Sequence, residues 1–205
     1  MTSTTAPGAS PGRRVGLREK HKIRTRTAIR EAAMRLFAEQ GYTPTTVEQI
    51  AKEADVSHTT FFRYFTSKEQ VVISDDLAAE REAAIAALPD GLDHFDLLRA
   101  LLREIFRIST ADAWASNPER MHLIRSEPAL LTAFQVESDR ALFGGLAFFA
   151  DYLGLEPDNP RLRVFVAAAR GVLMHLADDI ADPKDPRVLT TLLDAVDLLE
   201  QGLPL

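Results

Sequence analysis

Six times in its second half the sequence sets an acidic or amide side chain directly before proline, and four of these pairs open an apolar-periodic run: Asn117-Pro118, Glu127-Pro128, Asn159-Pro160 and Asp185-Pro186. Proline lacks the N–H that the first helical position leaves unused, and its fixed φ suits that position. Each pair therefore reads as an N-cap followed by the first residue of a helix. Apolar residues then recur at intervals of three and four, the period of a half-buried helix. Helix ends are marked too, by Gly41, by Pro89-Asp90-Gly91 and by Gly154. These signals predict helices over 17–40, 46–53, 58–64, 67–88, 93–110, 118–125, 128–153, 160–181 and 186–201, with no convincing strand. The expected fold is all-α with about nine helices.

Two consecutive helices in the first third are too short to stand alone in water. In Thr45–Lys68, TTVEQIAKEADVSHTTFFRYFTSK, a short helix carries Val47, Ile50, Ala51 and Ala54 on one face, and Asp55-Val56 makes a turn. Ser57 then caps a second helix, His58–Tyr64. Phe61 and Phe65, four apart, read as core residues that hold this second helix to its neighbours. That leaves His58, Thr59, Phe62 and Tyr64 pointing elsewhere. Small hydroxyl and imidazole groups at the start of a propped second helix suit a reader of the DNA major groove. Ser67 reads as the cap of the next helix. Lys68 at that start opposes the helix dipole, which points to a phosphate role.

Charge supports this placement. The chain of 205 residues has a net charge of −6, yet Arg13–Lys68 holds twelve Lys/Arg against six Asp/Glu, while the remainder holds twelve against twenty-four. A basic N-terminal third on an acidic body is a localised nucleic-acid footprint. Arg13, Arg14, Arg18, Lys20, Lys22, Arg24 and Arg26 crowd its start. In the long first helix Ile29, Ala32, Ala33, Leu36 and Phe37 form the apolar stripe, with Arg30, Glu31, Arg35 and Glu39 off it. Three divisions are expected: a disordered basic arm over 1–16, a helix-turn-helix domain over 17–66 and a second helical domain over 67–205. No apolar run reaches the length of a membrane span, and the first residues lack a signal-peptide core, so a cytoplasmic protein is expected.

Catalytic and metal chemistry find little support. The sequence has no cysteine, which excludes disulfides, thiolate metal sites and cysteine nucleophiles. It has no glycine-rich phosphate loop, HExxH motif or nucleophile elbow. His175 with Asp178, Asp179 and Asp182 could share a helix face and hold a cation, but a solvated acidic face is the better reading. No enzyme, cofactor or metal is expected.

The run AIREAAMRLFAEQGYTPTTVEQIAKEADVSHTTFFRYFTSKEQVV resembles the N-terminal domain of the TetR family of bacterial transcriptional repressors, over about Leu17–Asp75. The resemblance implies a DNA-binding domain of three helices joined by a fourth to a ligand-binding, dimer-forming bundle. Carried over by position, it implies base contacts from His58, Thr59, Thr60 and Phe62, and phosphate contacts from Thr46, Tyr64 and Lys68, with Ser57 at the same surface. Where the family usually has tyrosine this chain has Phe62, so a hydroxyl contact to phosphate is lost; Tyr64 can supply one instead.

Arg120–Gln135, RMHLIRSEPALLTAFQ, is similar to the regulatory domain of mycofactocin-type regulators, a branch associated with acyl-CoA-like ligands. Trp114, Met121, Phe134, Phe148 and Met174, with Ile124, Phe143 and Phe149, offer apolar wall; Arg125 and Arg170 suit an anionic group. The last two helices would pair with their mates in a homodimer, through Val164, Phe165, Ala168, Gly171, Val172 and His175 on one and Leu189, Leu192, Leu193, Val196 and Leu199 on the other. The expected function is a cytoplasmic repressor released from a near-palindromic DNA operator by a small hydrophobic effector, acyl-CoA-like or otherwise. The alternative is a DNA-binding activator or repressor controlled by a protein partner, with no small-molecule inducer.

Overall fold

The computed structural model describes residues 16–178 and 182–203, and side chains for all of these but 138, 139, 141–143, 177 and 178. The first fifteen residues of the expected arm, the side chains of Phe143 and Asp178, and Asp179 and Ala181 lie outside the described set.

Ten helices occur among the described residues: α1 (Leu17–Gln40), α2 (Val47–Glu53), α3 (His58–Tyr64), α4 (Lys68–Ile73), α5 (Ala78–Ala86), α6 (His94–Ala111), α7 (Pro118–Ser126), α8 (Pro128–Leu153), α9 (Pro160–Asp178) and α10 (Pro186–Glu200). No strand occurs among them. The all-α expectation holds, but the count of about nine is corrected. The single helix expected over 67–88 is two, broken between Ile73 and Ala78. Sequence periodicity runs through the break; tertiary hydrogen bonds to the carbonyls of Val72, Ile73 and Ser74 end α4 there.

The proline starts behave as their chemistry requires. The Asn117 side chain accepts from the N–H of Arg120, Asn159 from Arg161 and Leu162, and Asp185 from Arg187. Glu127 precedes Pro128 without a side-chain cap. Gly41 and Gly154 close α1 and α8 with positive φ, 87° and 64°, a conformation that costs side-chain-bearing residues more.

The chain divides into two compact units, up to Val71 and from Val72 onward. In the first, the α1 stripe Ile29, Ala32, Ala33 and Phe37 is buried with Ile50, Ala51, Phe61 and Phe65. Arg30 departs from expectation: it is buried, and its guanidinium lies 5.7 Å from the Phe65 ring centroid. In the second unit, Leu97 and Leu98 of α6, Phe149 and Ala150 of α8, Leu162, Val166 and Ala169 of α9 and Val196 of α10 form one core cluster. Arg99 ties α6 to α10: it pairs with Asp96 at 2.9 Å, Asp197 at 2.7 Å and Glu200, and Glu200 and Asp197 raise its pKa further. No helix among the described residues is long and apolar enough to cross a membrane.

Candidate functional site

The short helices of the first unit are built from caps and aromatic packing. Thr46 caps α2 reciprocally: its hydroxyl accepts from the Gln49 N–H while the Gln49 side chain accepts from the Thr46 N–H at 2.9 Å. Asp55 takes φ 53° in the turn, and the Val56 N–H returns to the Ala51 carbonyl at 2.9 Å. Ser57 caps α3 by accepting from the Thr60 N–H at 3.0 Å, and its hydroxyl lies 2.8 Å from that of Thr60. The end of α3 is held by Arg26, which donates to the Tyr64 carbonyl at 2.8 Å with its guanidinium 4.3 Å from the Phe65 ring centroid. One cation of the basic run thus has a structural task.

With Phe61 fully buried and Phe65 nearly so, the opposite face of α3 is open. His58, Thr59 and Phe62 are exposed, and Thr60 and Tyr64 half-buried. The His58 imidazole stands edge-on to Phe62, with ring centroids 4.7 Å apart. Its Nε2 lies 3.6 Å from a Glu48 carboxylate oxygen on α2. The Glu48 carboxyl is held below its ordinary pKa by its own helix-end N–H, by Thr46 and by His58. The structure therefore gathers Thr46, Ser57, His58, Thr59, Thr60, Phe62 and Tyr64 on the α2–α3 portion of one unit.

Lys68, expected to meet a phosphate, is engaged within its own unit in the structure. Its ammonium donates to the carbonyls of Tyr42, Thr43 and Thr45, at 3.0, 3.2 and 3.0 Å, and lies 4.3 Å from the Tyr42 ring centroid. An ammonium has three donors, and all are committed, so a phosphate oxygen would have to displace a carbonyl. Beside it the Tyr42 hydroxyl donates to Glu69 at 2.7 Å. Burial pushes the Glu69 carboxyl up, but the bonds from Tyr42 and Ser67 outweigh it and leave the pKa lowered.

In the second unit a groove of about 800 Å³ runs between α5 and α6. On the α5 side it is lined by Ala83 and Ala84 and by Ala87 just past the helix end, side chains too short to fill the space to α6. Leu77, Leu88 and Ile108 add apolar wall; Arg103, Arg107, Glu80, Glu104 and Asp112 supply polar groups. None of the seven expected ligand residues lines it. Trp114 and Met121 instead lie with Arg120 around the start of α7, where Arg120 Nη1 is 3.7 Å from the Met121 sulfur. Arg125 lies further along α7 and Phe134 on α8, both half-buried. Phe148 packs beside the core, with its ring 5.8 Å from Phe149 and 5.9 Å from Tyr152. Arg170 and Met174 lie half-buried on α9. The groove escapes sequence reading because its residues are alanines and ordinary surface charges, which carry no signal of their own.

The proposed dimer face divides. Phe165, Val196 and Leu199 are spent inside the protomer, in or against the core cluster. Val164, Ala168, Gly171 and His175 of α9 are exposed, as is Leu198 of α10. No metal-holding group of His, Asp or Glu occurs among the described residues.

Residues 29–74 match the family described as "Bacterial regulatory proteins, tetR family", and residues 92–204 match the "MftR C-terminal domain". The chain is similar to the HTH-type transcriptional regulator TcmR of Streptomyces glaucescens, 31% identical over 189 residues, 88% of this chain and 73% of that protein. Among solved structures it is similar to FadR of Thermus thermophilus, a TetR-family transcriptional repressor in complex with lauroyl-CoA. That likeness has a TM-score of 0.52 and 27% identity, covering 88% of this chain and 95% of the other. A putative TetR-family regulator from Mesorhizobium loti shares the fold, with a TM-score of 0.53 and 21% identity over 89% of this chain and 96% of the other.

Proposed function

The chain belongs to the TetR family of bacterial DNA-binding transcriptional regulators, and from that premise we propose that it is a homodimeric repressor released from its operator by a small molecule. The observation that carries the DNA-reading assignment is the open face of α3. A helix of seven residues is held in place by Phe61, Phe65 and Arg26 while His58, Thr59 and Phe62 stay exposed. A short helix so propped presents its first residues to base edges. Under this reading His58 and Thr59 choose bases, Thr60 and Phe62 contact the groove floor, and Thr46, Ser57 and Tyr64 meet phosphates.

A dimer would bring two such helices to successive major grooves of a near-palindromic site. The exposed α9 residues Val164, Ala168 and Gly171, small or apolar at helical spacing, suit close approach of a second copy. The protein would work in the cytoplasm, where its DNA is.

The effector would occupy the second unit. The α5–α6 groove has the volume of an ordinary small-molecule site. The similarity to a FadR holding lauroyl-CoA makes that compound the first probe. Fluorescence anisotropy on labelled DNA from upstream of the protein's own gene tests both parts. Saturable binding that weakens as lauroyl-coenzyme A is added supports the reading. Absence of sequence-selective binding removes the DNA-reading assignment. Tight binding indifferent to saturating lauroyl-coenzyme A removes this effector class.

A further inference from the structure

The break between α4 and α5 is built by side chains distant in sequence. Arg120, only 4% exposed, donates from Nε to the Val72 carbonyl at 2.5 Å and from Nη2 to the Ile73 carbonyl at 2.9 Å. The Trp114 indole N–H donates to the next carbonyl, Ser74, at 2.9 Å, and the Arg120 guanidinium lies 5.4 Å from its ring centroid. Three successive carbonyls are thus capped from the start of α7 and the loop before it. On the far side of the break, the Asp75 carboxylate accepts from the Leu77 N–H at 3.1 Å and from Arg81 at 2.9 and 2.6 Å.

The same carbonyls have a second possible set of partners. In an uninterrupted α-helix they would accept from the N–H groups of residues 76, 77 and 78. The apolar period of 67–88 supports that continuous helix. Two arrangements therefore compete for one set of acceptors: a broken, capped joint and an unbroken helix. Two residues connect this choice to the groove. Leu77 lines the groove and has its N–H held by Asp75. Asp112 also lines it, and its Oδ1 accepts from the N–H groups of Trp114 and Ala115, at 3.0 and 2.7 Å.

We propose that Arg120 and Trp114 form a latch that holds the α4–α5 joint broken for operator binding, and that an occupant of the α5–α6 groove releases the latch by displacing Leu77 and Asp112. The proposal rests on the repressor reading above and names the residues through which its regulation passes. Neither residue touches DNA; both are positioning residues. The covalent chain passes from one unit to the other once, inside α4, a few residues before this joint. An occupant acts only so far as it binds one state of the joint better than the other.

Trp114 is the sole tryptophan, so its emission reports the latch directly. The experiment measures operator affinity for the wild-type protein, Arg120→Lys and Trp114→Phe, with helix content by circular dichroism and dimer mass alongside. Lysine keeps the charge but lacks the planar fork that reaches two carbonyls at once. Expected are folded, dimeric variants whose operator affinity falls about tenfold with an unchanged salt slope, which a lost phosphate contact would have lowered. In the wild type, Trp114 emission should shift as lauroyl-coenzyme A is added and stay in place when operator alone is added; emission unmoved by saturating lauroyl-coenzyme A overturns the release step. If Arg120→Lys fails to fold, Trp114→Phe decides alone. Wild-type operator binding with variants that bind equally well overturns the latch and leaves the repressor reading standing. A wild-type protein without sequence-selective binding overturns both.

Discussion

Replacing Lys68 by methionine separates two roles that the residue could have. Methionine keeps an unbranched chain of similar length and removes the ammonium. The carbonyls of Tyr42 and Thr45, residues that are themselves buried, then lose a charged donor, while that of exposed Thr43 can turn to water. Leaving a part-buried acceptor unsatisfied costs on the order of 1–1.5 kcal/mol, so two give about 2–3 kcal/mol. The loss falls on the turn that sets α2 after α1, and should appear as local opening. Amide hydrogen exchange of α2 and α3 would then be roughly 30- to 150-fold faster than in the wild type. The phosphate reading makes a different forecast: exchange unchanged, operator affinity lower, and a salt slope reduced by about one unit. Exchange within about threefold of wild type, together with that reduced slope, would refute the structural assignment.

Four further outcomes follow from single contacts. Phe61→Ala empties a fully buried site and should cost about 3–5 kcal/mol, abolishing gel shifts as α3 loses its anchor. Phe62→Tyr adds a hydroxyl on the exposed face of α3; it should leave urea stability unchanged and tighten operator binding by roughly fivefold, one hydrogen bond's worth. Arg99→Ala leaves Asp197 and Glu200 without their shared cation, and should lower stability in urea by about 1 kcal/mol, the upper end for a partly exposed pair. Asp75 supplies a pH dependence. Burial pushes its carboxyl up, but the bonds and charge of Arg81 outweigh this, so the folded pKa lies below the unfolded one. Its contribution is complete above about pH 4 and lost as pH falls through the lowered value, so Asp75→Asn should flatten that acid limb in thermal melts.

Much of the first unit was legible in the sequence because its signals are local. A cap, a helix-starting proline, a positive-φ glycine and an apolar period act within a few residues. They located Ser57 as the cap of α3, Phe61 and Phe65 as its anchors, and most of the helix starts. The second unit was less legible, since apolar residues can serve core, cavity and dimer face alike. Val196 and Phe165 turned inward while Val164 stayed exposed, and only the packing of α6, α8, α9 and α10 separates these fates.

What tertiary structure alone decided are the partners of long cationic side chains. Lys68 reaches carbonyls 23 to 26 residues earlier in the chain, and Arg120 reaches those of Val72 and Ile73, 48 and 47 residues away. No local pattern encodes such a meeting. By itself the sequence determined an all-α chain with two short, capped helices near its start, because helix period and end chemistry are short-range. That the fourth helix stops at Ile73, and that a groove opens between α5 and α6, depended on which distant donor arrived at which carbonyl and on how little the alanines of α5 fill.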